Sequence, residues 1–253
     1  MANVMVNAGL IFWSDIAPGG ALDSGGVKRS GAPMDNPLLA ELSEAGRVAL
    51  ASAKARDALV LAPLLAMDAR LSRIVAQVRE PLLAQMRLAW WRDELGKPAA
   101  DRPKGDAVLG AFGIHCTGLE PAAIALVNGW EALLDDPPLS AAAATSFADG
   151  RGALLVGFSN ISGLSADADE AARAGRLWAM GELASLSSEP DERAQALALA
   201  DTDAHPALHL PSRLRPVAVL GGLSRRAILR GGAPLLGDRM SPLAALRLGL
   251  LGR

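Results

Sequence analysis

The sequence predicts an all-α protein, a single helical-bundle domain, and three observations carry that expectation. Of its 253 residues 51% are hydrophobic, but a large share of these are alanines, which favour helix and add little buried area each. There is no tyrosine and there are only four phenylalanines, so a sheet would lack its usual aromatic and β-branched material. From Asn36 onward, apolar residues recur at steps of three and four, broken by short Pro, Gly and Asp punctuation. The length suffices for one full core, and neither an internal repeat nor an interior linker divides it.

Residues 1–33 stand apart: they are glycine-bearing, show no helical period and lack a basic start ahead of their short apolar patch, which makes a poor signal peptide. They are expected to be a disordered or mis-assigned extension, with Met34 as the true start of a helical domain spanning 34–253. Leu38, Leu39 and Leu42 open a short helix that Ala45 to Ala55 continues. Residues 57–79 place Val60, Leu64, Met67, Leu71, Ile74, Val75 and Val78 on one stripe, with Arg70, Arg73 and Gln77 largely outside it. Pro81 suits the first turn of the next helix, and Glu80 before it suits the positive end of the dipole. There Leu82, Leu83, Met86 and Trp90 form the expected core face, and the helix ends near Gly96 in the polar loop Lys97 to Asp106.

Pro121 to Leu134 carries Ile124, Val127, Trp130 and Leu134 in register, and Asp135-Asp136-Pro137-Pro138 ends it. Ser140 caps a helix running to about Asn160. Asp167 to Leu186, Asp191 to Asp201, Val217 to Arg230 and a last helix from about Pro242 complete the series.

With 25 Lys+Arg against 27 Asp+Glu, the formal charge is 25 − 27 = −2, so a general attraction to nucleic acid is not indicated. The lone Cys116 excludes an internal disulfide and fits a reducing, cytoplasmic setting. The longest apolar run, Ala58 to Met67, is about half of the ~20 residues a membrane span requires. His115, His205 and His209 form no metal-ligand pattern, and neither HExxH nor GxSxG is present. Asp149-Gly150-Arg151-Gly152 lacks the preceding strand and the Gly-Lys-Ser/Thr ending of a phosphate loop, so its glycines are read as letting a neighbouring helix come close. Asp135-Asp136, followed by two prolines, is read as a solvated helix end rather than a magnesium site.

Met86-Arg87-Leu88-Ala89-Trp90-Trp91-Arg92-Asp93-Glu94-Leu95, preceded by Arg79-Glu80-Pro81, resembles the RLxWWRxxL segment of the squalene/phytoene synthase family. Gly129-Trp130-Glu131, Phe147 to Gly152 and Leu210 to Pro216 support the resemblance, which spreads over residues 36 to about 250. It implies the isoprenoid-synthase fold, a helical bundle around an apolar cavity. It also implies head-to-head joining of two allylic diphosphates across Mg²⁺ held by aspartate-rich motifs on facing helices.

The sequence departs from that pattern. The first motif's register places Ser72, Arg73 and Ala76 where carboxylates are needed, and the helix Asp167 to Leu186 offers only Glu182 at the second. No DDxxD occurs, nor any pair of aspartates four apart. The chain therefore resembles the aspartate-less branch of the family, the branch of a mitochondrial complex I assembly factor. That implies a non-catalytic protein binding an isoprenoid or lipid-like ligand or a protein partner, with no cofactor and with contact to the inner membrane periphery. The alternative is an active phytoene- or squalene-type synthase using Mg²⁺, alone or as one subunit of a heteromer. No catalytic residue or metal ligand is assigned. The candidates for lining the cavity or meeting an anionic head group are Asp68, Arg70, Arg73, Arg87, Trp91 and Arg92.

Overall fold

The computed structural model describes residues 37–77 and 80–252. The expected N-terminal extension, Met34 and Val78 lie outside the described residues. Among the described residues the structure is all-helical, with eleven α-helices and no strand. They are α1 (Pro37–Glu41), α2 (Glu44–Ala51), α3 (Ala55–Ala76), α4 (Pro81–Leu95), α5 (Ala107–His115), α6 (Glu120–Ala132), α7 (Ala141–Ile161), α8 (Ala168–Leu186), α9 (Pro190–Ala204), α10 (Arg215–Ile228) and α11 (Ser241–Leu251).

Helix α3 is the hub. Every residue from Leu61 to Asp68 is buried, because α1, α4, α5, α6 and α7 all pack around it. A helix enclosed on all sides needs no polar face over that stretch. Helices α6, α7, α8 and α10 then pack in succession, α9 covers α8, and α2 and α11 lie on α10. One core cluster reaches from Leu38 to Leu248 and so spans the first helix to the last.

Glycines set the spacing of this row. A Cβ on Gly150 of α7 would stand 2.7 Å from the Ala125 carbonyl oxygen of α6. One on Gly175 of α8 would stand 2.6 Å from the Arg151 carbonyl oxygen of α7. Only hydrogen fits at either crossing, as the Gly150-Arg151-Gly152 spacing had suggested, so α7 is gripped closely from both sides.

Three readings of the sequence need correction. The first helix does not run on through Ala45: Ser43 stops it and caps a separate α2, its Oγ accepting from the Gly46 N–H at 3.1 Å. The segment Ala107–His115, left without an element, is helix α5, and Asp106 caps it by accepting from Val108 and Leu109 at 2.9 and 3.0 Å.

The third correction concerns α4. The expected core face, Leu82, Leu83, Met86 and Trp90, is exposed, with Met86 62% and Trp90 40% accessible. The buried face is Ala84, Leu88, Trp91 and Leu95, with Trp91 at 2%. Apolar residues surround this helix, so two stripes with helical spacing compete, and contact with α6 decides between them.

The polar loop after α4 is anchored rather than free. Arg102 is buried and donates from Nε to the carbonyls of Glu94 and Lys97, both at 3.1 Å. Its Nη2 reaches the Leu95 carbonyl at 3.2 Å and Glu120 Oε1 at 3.0 Å. One guanidinium thus satisfies open carbonyls at the end of α4 and joins that end to the start of α6.

Candidate functional site

Three helices bring charged side chains together in the core. Asp68 of α3, Arg151 of α7 and Glu182 of α8 converge where these helices meet. The Arg151 guanidinium is 1% exposed. It meets Asp68 in a two-pronged pair, Nε to Oδ1 at 3.0 Å and Nη2 to Oδ2 at 2.9 Å. Nη1 donates to Glu182 Oε2. Trp130 of α6 adds an Nε1–H donor to Asp68 Oδ1 at 3.0 Å.

Aromatic rings enclose the cation. The guanidinium carbon lies 3.8 Å from the Trp178 ring centroid, 4.6 Å from that of Phe147 and 5.1 Å from that of Trp130. Ring faces present negative charge, so this cage recovers part of the lost hydration. Burial alone would lower the Arg151 pKa, but Asp68 and Glu182 outweigh it and hold the guanidinium above its ordinary range. The network is a fixed cation clamped by two carboxylates.

A cleft of about 150 Å³ opens beside this network. Its walls are apolar, with Val75, Trp130, Leu133, Phe147, Leu183 and Leu186. Glu182 also lines it, as do Asp135, Glu189 and Glu192, and among the described residues no lysine or arginine does. Two of these carboxylates are already engaged: Glu182 by Arg151, and Glu192 by the Leu139 N–H at 2.9 Å. Asp135 and Asp136 are exposed at the end of α6, as the sequence suggested.

Of the six sequence candidates, Asp68 alone enters the buried network, and none lines the cleft. Arg70 and Arg73 turn to Glu41 of α1, Arg70 pairing also with Asp106. Arg92 holds Asn128 at 2.9 Å and Glu131 at 2.7 Å on α6. Trp91 is core, with the Arg70 guanidinium carbon 6.0 Å from its ring centroid. Arg87 is exposed. Arg151, Trp178 and the role of Glu182 went unseen. An arginine flanked by two glycines, followed by the apolar run Ala153 to Phe158, is the available signal for the first.

The donor set does not fit the Mg²⁺ site that the family resemblance implies. Both Asp68 oxygens already accept from Arg151 and Trp130, and Arg151 places a positive charge between the two carboxylates. Among the described residues, no group of three or more His, Cys, Asp or Glu converges so as to hold a metal ion.

Cys116 packs against α3, its thiol donating to the Val60 carbonyl at 3.4 Å. Burial, and then the charge of Glu120, push the thiol up to about 12. That leaves roughly a thousandfold less thiolate at pH 8 than an ordinary cysteine has. Iodoacetamide should therefore label the native protein at least ~10³-fold more slowly than the urea-unfolded chain. Mass spectrometry of timed quenches measures this, and equal rates would contradict the placement.

No family model, no curated protein and no solved structure matches this chain.

Proposed function

We propose that the chain is a non-catalytic helical-bundle protein of the squalene/phytoene synthase type that binds an uncharged isoprenoid or lipid-like group without prenyl transfer. The observation that carries this reading is the clamp of Arg151 between Asp68 and Glu182. Carboxylates from two facing helices are what a diphosphate-bound Mg²⁺ cluster needs, and here a guanidinium occupies their charge. The apolar cleft beside them favours hydrocarbon over a phosphorylated head group. At about 150 Å³ it encloses only the end of an isoprenoid chain, so the remainder lies along the surface or against a partner.

The test pairs turnover with binding. With farnesyl or geranylgeranyl diphosphate and Mg²⁺, no pyrophosphate should appear, and measurable release would overturn the reading in favour of a synthase. Farnesol should quench tryptophan fluorescence, because Trp130 forms part of the wall. Leu183→Glu should weaken that quenching by about tenfold by placing a charge in the apolar wall. Unchanged affinity in that variant would move the ligand elsewhere.

A further inference from the structure

The charge of this chain is divided sharply along its length. Residues 204–253 hold eight arginines and one acid, Asp238, a net of 8 − 1 = +7, while residues 1–203 hold 17 Lys+Arg against 26 Asp+Glu, a net of 17 − 26 = −9. The basic part carries α10 and α11. Helix α11 is apolar on two opposite sides. Ala245 and Leu248 face the core, while Leu243, Leu246 and Leu250 are 57%, 58% and 56% exposed. Steps of three and four put these three leucines on one outward stripe. Met240, just before the helix, and Leu229, just after α10, are also exposed apolar residues.

Beside the stripe runs a groove of about 540 Å³ between α10 and α11. Arg225, Arg226, Arg230 and Arg247 line it over a floor that includes Leu208 and Leu248. Asp238 accepts from Arg226 at 2.7 Å and also from Arg230. Arg225 spends its donors on the carbonyls of Ala204 and His205, which leaves its charge uncompensated. Arg247 makes no ion pair with any described residue and lies on the side of α11 where the groove meets the stripe. Arg239 is exposed nearby in sequence.

We propose that this face seats on an anionic phospholipid surface. Leu243, Leu246 and Leu250 enter the acyl boundary, and the groove arginines with Arg247 meet lipid phosphates. Exposed leucines bordered by Arg225 and Arg247, which form no ion pair with any described residue, and by Arg226 and Arg230, which share the single acid Asp238, fit a bilayer of negative head groups. A two-fold pairing of α11 with a second copy is disfavoured, because it would bring Arg247 of each chain toward its counterpart. The other exposed apolar stripe, Leu82, Met86 and Trp90 of α4, has both Arg87 and Asp93 exposed on the same helix and lacks this one-signed fringe. The proposal stands whether or not the cleft beside Arg151 takes an isoprenoid.

The experiment is flotation of the full chain with vesicles of phosphatidylcholine alone and with added phosphatidylglycerol. Binding should require the anionic lipid and fall at least tenfold between low and high salt. It should fall at least tenfold again in Leu243→Ser/Leu246→Ser/Leu250→Ser, and similarly in Arg239→Glu/Arg247→Glu. All five positions are exposed, so unchanged circular dichroism and melting should accompany both losses. Equal binding to both vesicle types would overturn the proposal, as would absence of binding to the anionic ones. So would loss only in Leu82→Ser/Met86→Ser, or a dimer in sedimentation equilibrium that the three-leucine variant dissolves.

Discussion

Arg151→Met should destabilise the protein by about 3–5 kcal/mol. The reason lies in what remains rather than in what is removed. Asp68 is 4% exposed and takes two hydrogen bonds from the guanidinium. With methionine at 151 its charge would sit in the core with only Trp130 Nε1 as donor. Glu182 would fare better, since it borders the cleft and can turn to water. The neutral double variant Arg151→Met/Asp68→Asn should therefore recover at least half of the loss, because the amide still accepts from Trp130 and no buried charge is stranded. Urea midpoints at constant slope measure both variants. A single variant as stable as the parent would show that the pair is not closed in solution, and a double variant no better than the single one would assign the cost to packing among the rings.

How far the site could be read from sequence follows from what kind of contact builds each part. Helix existence and order were legible, because period, proline and aspartate punctuation are local properties: α6, α7, α8 and α10 fall within a few residues of expectation. The facing of α4 was not. Leu82, Met86 and Trp90 form as good a stripe as Leu88, Trp91 and Leu95, and only the neighbouring α6 breaks the tie. Helix α5 was missed for a related reason: AVLGAFGIH is apolar on most sides and shows no period, although Asp106 at its start is an ordinary cap.

The central site was the least legible, because its members lie far apart along the chain. Asp68 and Arg151 are 83 positions apart, and Arg151 and Glu182 are 31. Asp68 stands among six candidates and Glu182 is the only acid at the second motif's place in its helix, yet nothing local ties either to Arg151. A charge-bearing residue buried in a helix looks in sequence like one on its solvated face.

Gly175→Ala should destabilise by about 2–4 kcal/mol although it adds a single methyl group. The new Cβ would lie 2.6 Å from the Arg151 carbonyl oxygen, 2.7 Å from Gly152 Cα and 2.8 Å from the Arg151 carbonyl carbon. All three are backbone atoms of α7, so no side chain can swing aside, and the two helices must separate by several tenths of an ångström. That displacement acts on Arg151 itself, whose guanidinium lies against Trp178, three residues further along α8. The indole emission of Trp178 should change along with stability. Gly110→Ala is the matched control. It sits in α5 with nothing within 4 Å of the new Cβ, so alanine should stabilise by about 0.5–1 kcal/mol through helix propensity alone. If both substitutions shifted the urea midpoint in the same direction and by the same amount, close approach of α7 and α8 would not be what fixes the arginine between its two carboxylates.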